Sequence, residues 1–370
     1  MSEEPIPLAR PVIGEAEEQA VLEVLRSGQL SLGPKLAEFE ERFSSFVDAP
    51  LGSAVSSGTA GLQLSLRAVG VAPGDEVVTS PFSFVASANV CVIEGATPVF
   101  VDIDPETLTL DPRAAADAVT ERTTAMLPVH IFGYPSDMEE LEKTGLPMVE
   151  DACEALGARY SDGTKVGGRG HPATFGFYAN KQMTTGEGGM VTLSDPAQKA
   201  LIDSERNQGR SADMGWLDHE RLGFNFRLSD IACALGIAQL GHLDEMLAAR
   251  EQAAGWYFDH LSGIEGLGLP CRDRGDARRG WFVFVVQVPE ERDRDEVIRS
   301  LAEQGVQSKP YLPAIHLMPL YRERFGYREG QFPVCESVAA RSVAIPFYPG
   351  ITEGQVERVA AALRSATGRA

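Results

Sequence analysis

The chain has 370 residues, a length that suits two or three domains, or one large and one small, and 44% are apolar, enough for a sizeable core. Its 33 basic against 53 acidic residues give a net charge of -20, which argues against a surface for nucleic acid or anionic membrane, since both need basic patches. No apolar run approaches the roughly 20 residues of a membrane span. The acidic start MSEEPIPLARPVIGEAEEQ has no apolar signal-peptide core. The five cysteines (Cys91, Cys153, Cys233, Cys271, Cys335) are odd in number, far apart and without a C-x-x-C pair. That pattern suits reduced thiols in a cytoplasm and offers no zinc site.

In chain order, SSGTAGLQLSLRAVG starts with serines and places Leu62, Leu66 and Val69 at helical spacing before Gly70. DEVVTSP is a short strand stopped by Pro81, VASANVCVIEGA a helix, and TPVFVDID a strand. LDPRAAADAV opens a helix with Asp111 as N-cap and Pro112 in the first turn. The strand AMLPVHIFG, the helix SDMEELEKTG and the strand LPMVEDA follow, and then TFGFYANKQMTTGEGGMVTL, with Lys181 ahead of a glycine-rich turn. Strands separated by helices predict a mainly parallel sheet, with ligands at the C-terminal ends of its strands. Asp151 stands at such an end. A long helix is predicted from Ser229. Beyond about residue 241, the strand WFVFVVQV, the helix RDRDEVIRSLAEQG and a last helix with a Thr352–Gln355 capping box suggest a smaller α/β domain. The expected division is 1–240 and 241–370.

Four features of the larger region carry chemistry. Gly58, Thr59 and Ala60 in SSGTAG open a helix whose free N–H groups and dipole favour a phosphate. Phe84, after a strand, can stack on a flat ring. Asp151 is a carboxylate, and Lys181 an amine. Alone, each has a plainer reading: a helix cap, a core aromatic, an ion-pair acid, a surface lysine. Together they are what pyridoxal phosphate (PLP) requires: a phosphate cradle, a ring stacker, a partner for the pyridine nitrogen and a lysine for the aldehyde. The six histidines show no ligand spacing and no P-loop motif is present, so neither a metal nor a P-loop enzyme is indicated.

The stretches GPKLAEFEERFSSFV, SGTAGLQLSL, GDEVVTSPFSFVASAN, VEDACEALGA, NKQMTTGEGGMV, GFNFRLSDIACALGIAQL, YLPAIHLMPLY and IPFYPGITEGQVERV resemble the DegT family of PLP-dependent nucleotide-sugar aminotransferases. The resemblance implies fold type I: a large mainly parallel-sheet domain plus a smaller C-terminal α/β domain, in a homodimer with active sites at the subunit interface. It implies transfer of an amino group from L-glutamate to a ketone of a nucleotide-linked deoxysugar, with the cofactor alternating between PLP and pyridoxamine phosphate (PMP). A cyclitol ketone is the alternative acceptor, and a PLP-binding regulator without turnover is a reading from another class. Members that dehydrate the sugar carry histidine in place of the lysine, so Lys181 argues against that route.

By the same resemblance Lys181 bonds the cofactor covalently and Asp151 faces its pyridine nitrogen. Phe84 stacks on the ring, Gly58, Thr59 and Ala60 take the phosphate, and Asn225 reaches the phosphate in the partner subunit. His316 lies in a segment lining the sugar side. Outside the resemblance, Arg210 in NQGRS reads either as an anion contact for donor or nucleotide phosphates or as a surface arginine. Three positions depart from the family pattern. Glu154 replaces the usual glutamine near the cofactor 3-hydroxyl, Gly176 replaces a phosphate-binding serine, and Tyr178 replaces a histidine beside the amino donor.

Overall fold

Residues 4–211 and 218–368 are described by the computed structural model. The first unit is built on β1 (Leu51–Val55), β2 (Glu76–Thr79), β3 (Thr97–Phe100), β4 (Thr123–Leu127), β5 (Glu150–Asp151), β6 (Ala173–Gly176) and β7 (Gly189–Leu193). A four-stranded sheet ordered β1-β7-β6-β5 and a three-stranded sheet ordered β3-β2-β4 are joined by parallel bridges at Met126–Met148 and Val129–Asp151. The combined order is therefore β3-β2-β4-β5-β6-β7-β1. Pairing is parallel except that β7 runs against both β6 and β1. β2 and β7 are buried along their whole length, as strands covered on both faces must be.

Several elements are shorter than their apolar runs suggest. β4 stops at Leu127 because Pro128 has no N–H to continue the ladder, and a 3-10 turn follows at Ile131–Gly133. WFVFVVQV pairs only over Phe284–Gln287. Before the first strand come two helices, Glu15–Ser27 and Pro34–Phe46. The second is capped from far along the chain. Asp230 accepts the N–H groups of Gly33 (2.8 Å) and Lys35 (2.9 Å) on its two carboxylate oxygens.

Helix Gly58–Ala68 lies against β6 and β7 at close range. A Cβ at Gly61 would sit 2.6 Å from Thr174 Cγ2, and one at Gly58 would sit 2.7 Å from Cys153 Sγ. On the other face, Phe39 and Phe43 pack edge-on against Phe175 and Phe177, with ring centroids 5.1–5.6 Å apart. Each buried ring contributes on the order of 2–3 kcal/mol. Phe175 and Phe177 flank Gly176, so this cluster anchors the chain immediately before Lys181.

The second unit has a three-stranded antiparallel sheet ordered β8-β10-β9, from Phe284–Gln287, Ser342–Ile345 and Lys309–Pro310 respectively. Helices Arg294–Glu303 and Glu353–Thr367 cover it, and the predicted Thr352–Gln355 capping box is present. Helix Leu243–Leu261 joins the units: Leu243 and Met246 belong to the first core, Ala253 through Leu261 to the second. Ile6, at the opposite end of the chain, pairs with Val306 and is fully buried in that second core. Among the described residues no helix is long and apolar enough to cross a membrane.

The close approach of strand and helix yields a prediction. A Cβ at Gly189 would lie 2.8 Å from the backbone carbon and oxygen of Ser57 and 2.9 Å from Gly58 N. Gly189→Ala is expected to cost about 1–3 kcal/mol in a chemical denaturation curve, because backbone must shift to admit the methyl group. A variant as stable as the parent would show that the helix start is free to move.

Candidate active site

The side chains that matter stand at the C-terminal ends of parallel strands, where such sheets bind ligands. β6 ends at Gly176 and leads into the turn carrying Lys181, closed by the Lys181 N–H donating to Tyr178 O (3.0 Å). Phe177 is buried beneath this turn, and its carbonyl accepts from Thr184 Oγ1 (3.1 Å) and Thr185 N (3.0 Å). Lys181 points inward, its side chain only 15% exposed. Nζ lies 3.6 Å from Glu154 Oε1 and 4.0 Å from the centroid of the Phe282 ring. The reading of Lys181 as a surface residue is thereby excluded.

Asp151 ends β5 and is buried. Ser87 Oγ donates to its Oδ2 at 2.6 Å, and the Cys153 N–H donates to Oδ1 at 3.1 Å. Ser83 and Ser87 are themselves in contact at 2.8 Å, so the carboxylate is fixed by a short hydroxyl chain from the loop after β2. On the neighbouring position Glu150 faces a separate buried cluster. Ser136 N–H donates to His130 Nδ1 (3.0 Å), which leaves the proton on Nε2 to meet Glu150 Oε2 at 2.9 Å, and the Tyr160 hydroxyl also donates to Glu150. The His130 backbone N–H donates to Asp151 O (3.0 Å), so the backbone of Asp151 is tied to that of His130.

Glu154 is buried against Lys181. Its Oε2 accepts the Phe132 N–H at 2.9 Å, and Tyr311 OH approaches Oε1 at 3.4 Å. Burial pushes its carboxyl above the ordinary value, against the opposing pull of Lys181. Burial raises the Cys153 thiol well above its usual range too, so Cys153 is an inert spacer rather than a nucleophile.

The helix start divides unevenly. Ser57 Oγ accepts the Ala60 N–H at 3.1 Å, which uses the third donor of the predicted turn within the protein. Ala60 is also buried. Among the described residues the N–H groups of Gly58 and Thr59 have no protein acceptor, so these two donors are open to an anion while that of Ala60 is engaged. Gly176 faces the same point. A Cβ there would stand 3.4 Å from Cys153 Sγ, an ordinary van der Waals contact, so a small side chain is not sterically excluded at this position.

Phe84 presents its ring at 63% exposure, and Tyr178 is 54% exposed beside the lysine turn. Asn225 is exposed and pairs in the backbone with Asn207, while half-buried Arg210 pairs with His219. Neither Arg210 nor Asn225 touches the Lys181 cluster within this chain. His316 requires a correction. It is fully buried, its Nε2 is 3.0 Å from Glu336 Oε1, and its ring packs edge-on to Phe332 at 4.7 Å. A side chain with no free surface lines no cleft in this chain; His316 ties the loop before helix Pro333–Arg341.

With this geometry in place, comparison with known proteins is decisive. The sequence matches the DegT/DnrJ/EryC1/StrS aminotransferase family over residues 11–364. The chain belongs to that family. It is 38% identical to the spore coat polysaccharide biosynthesis protein SpsC of Bacillus subtilis over 97% of this chain and 96% of that one. It is 36% identical to the GDP-perosamine synthase of Caulobacter vibrioides, covering 97% of each. Its structure superposes on DesV of S. venezuelae, solved in complex with a ketimine intermediate, with a TM-score of 0.93, 34% identity and full coverage of both chains. The chain is an aminotransferase with the fold type I architecture, a large mainly parallel-sheet unit plus a smaller α/β unit.

The raised carboxyl of Glu154 has a measurable consequence. The folded protein holds this proton more tightly than the unfolded chain, so the contribution to stability is present at low pH and is lost as pH rises through the raised value. Glu154→Gln is expected to raise the melting temperature of the cofactor-free protein above neutrality and to leave it unchanged below the ordinary carboxylate range. A gain of equal size at both pH values would contradict this.

Proposed function

We propose that the protein is a PLP-dependent sugar aminotransferase that moves the amino group of L-glutamate to a ketone on a nucleotide-linked deoxysugar. The observation that carries this reading is the inward Lys181 amine, 3.6 Å from Glu154 and beside the doubly hydrogen-bonded Asp151. The names of the relatives, one acting in coat polysaccharide biosynthesis and one making GDP-perosamine, support a sugar acceptor.

The residues present fit the cofactor. Two unengaged N–H groups at Gly58 and Thr59 open a helix, which is the polarity a phosphate needs. When bound through Lys181, PLP supplies an electrophilic carbon and a ring that takes up the electron pair released at the donor's Cα. Asp151, its orientation fixed by Ser87 and Cys153 N, would accept a hydrogen bond from the protonated pyridine nitrogen, and Phe84 would supply an aromatic face for the ring. Lys181 Nζ, freed once the donor's own amine has taken its place on that carbon, would take the proton from the donor's Cα and return it one step later. Glu154 and Phe282 keep that amine within the cleft through the cycle. Glu154 in place of glutamine presents an acceptor where the family has an amide, and Tyr178 stands in the donor's approach in place of histidine.

A homodimer with shared sites is part of the proposal. Asn225 and Arg210 lie apart from the Lys181 cluster of their own chain. Exposed apolar residues such as Ile13 (50%), Leu25 (48%), Leu32 (47%) and Leu222 (74%) give a second subunit a surface to cover. The cytoplasm, where nucleotide sugars are made, is the proposed compartment.

Two outcomes test the reading. Lys181→Ala is expected to abolish transfer from glutamate to a 4-keto sugar nucleotide in a coupled assay of 2-oxoglutarate release; full activity of that variant would refute the role of Lys181. Ser87→Ala, which removes a 2.6 Å bond to Asp151, is expected to lower kcat by roughly tenfold with a smaller change in KM for glutamate. An unchanged kcat would mean that Asp151 needs no support from the Ser87 hydroxyl.

A further inference from the structure

Arg250, on helix Leu243–Leu261, is buried at 3% exposure. Its Nη1 donates to Phe282 O at 2.9 Å and its Nη2 to Lys181 O at 3.3 Å. Among the described residues no carboxylate pairs with it, its Nε has no partner, and burial lowers it to about 10 with no opposing charge. The Phe347 ring centroid lies 5.7 Å from its guanidinium carbon. A guanidinium buried without an acid is costly, and an apolar side chain of similar volume is often as stable or more so. The residue is therefore poorly explained by stability alone.

What the fork does is geometric. The two carbonyls it bridges belong to the lysine turn and to the segment entering β8. That second segment also supplies the Phe282 ring, 4.0 Å from Lys181 Nζ. The rigid planar donor fixes the backbone of residue 181 relative to that of residue 282, and hence the lysine stem relative to the ring that holds its tip. A second tie runs alongside. Gln182 Nε2 donates to Glu154 O (2.6 Å) and Gly280 O (3.0 Å). The backbones also meet closely here, since a Cβ at Gly133 would fall 1.9 Å from Gly280 O. The helix that carries Arg250 has one end in the first core and the other in the second.

We infer that Arg250 is a positioning residue for Lys181: by tying the carbonyls of Lys181 and Phe282 it aims the reacting amine and couples the second unit to it. This rests on Lys181 being the residue that bonds the cofactor. A neutral stem cannot reproduce the tie, and a lysine keeps the charge but donates from one point, so Arg250→Met and Arg250→Lys separate geometry from charge.

The test follows the full-length protein, freed of cofactor, as it is mixed with pyridoxal phosphate and trapped with borohydride, with the modified peptide identified by mass. Affinity for pyridoxine phosphate, which has the phosphate and ring but no aldehyde, is measured in parallel. Both variants are expected to be trapped at Lys181 about 10–100-fold more slowly than the parent, with pyridoxine phosphate affinity unchanged. Trapping at the parent's rate, even with a lower melting temperature, overturns the inference. So does an equal fold-loss in pyridoxine phosphate affinity, which would mean general loosening. Arg250→Lys carries the test if Arg250→Met is insoluble. Failure of the parent to be trapped at Lys181 would instead refute the functional reading.

Discussion

A primary amine held away from water between a carboxylate and an aromatic face is the constraint on which the rest of this structure depends. Lys181 Nζ has Glu154 at 3.6 Å on one side and the Phe282 ring at 4.0 Å on another. Left to itself, a lysine tip at the end of four methylenes goes to solvent, because hydration of the ammonium exceeds what packing of the stem returns. Keeping it inside requires partners already in place before it arrives. They come from three distant parts of the chain: the loop after β5, the segment before β8, and the Phe175–Phe177 anchor against Phe39 and Phe43.

Small residues make that convergence possible. Gly58, Gly61, Gly176 and Gly189 let helix Gly58–Ala68 settle on β6 and β7 with its first N–H groups open. Their roles differ. Gly61 yields to a methyl group of Thr174, Gly58 to the Cys153 thiol, and Gly189 to the backbone at Ser57. Glycine at 176 offers no hydroxyl, so on the proposed reading the anion's stabilisation falls on the helix start, where N–H groups and dipole act together.

What was legible in the sequence was local. The Ser57 cap, the Asp111 cap, the Thr352–Gln355 capping box and the acid at the end of β5 each follow from a few consecutive residues, and the structure contains all of them. The mainly parallel sheet followed from strand–helix alternation. The antiparallel course of β7 was not anticipated, because periodicity carries no strand direction. The contacts that aim Lys181 were hidden for a different reason: they are long-range. Tyr311 reaches Glu154 across 157 residues and Arg250 reaches Lys181 across 69, and no spacing rule spans such distances. Phe282 looked like one more apolar strand residue. Ser83 and Ser87 stood in plain view at helical spacing, yet nothing local tied them to Asp151. His316 and Ala60 fail in the opposite direction. A motif position suggested a ligand contact, and packing on Phe332 and the Ser57 cap respectively put each to another use.

On the proposed reading Lys181 is the centre of both half-reactions, as the covalent partner of the cofactor and the base that works at the donor's Cα. Solvent exchange at that carbon isolates the second role from binding and from the sugar acceptor. L-glutamate incubated in D2O with the cofactor-loaded parent, without any keto sugar, is expected to lose its Cα proton signal by NMR, while Lys181→Ala loaded with the same cofactor leaves it intact. Exchange by Lys181→Ala at the parent's rate would contradict the central claim, because some other group would then be moving the proton.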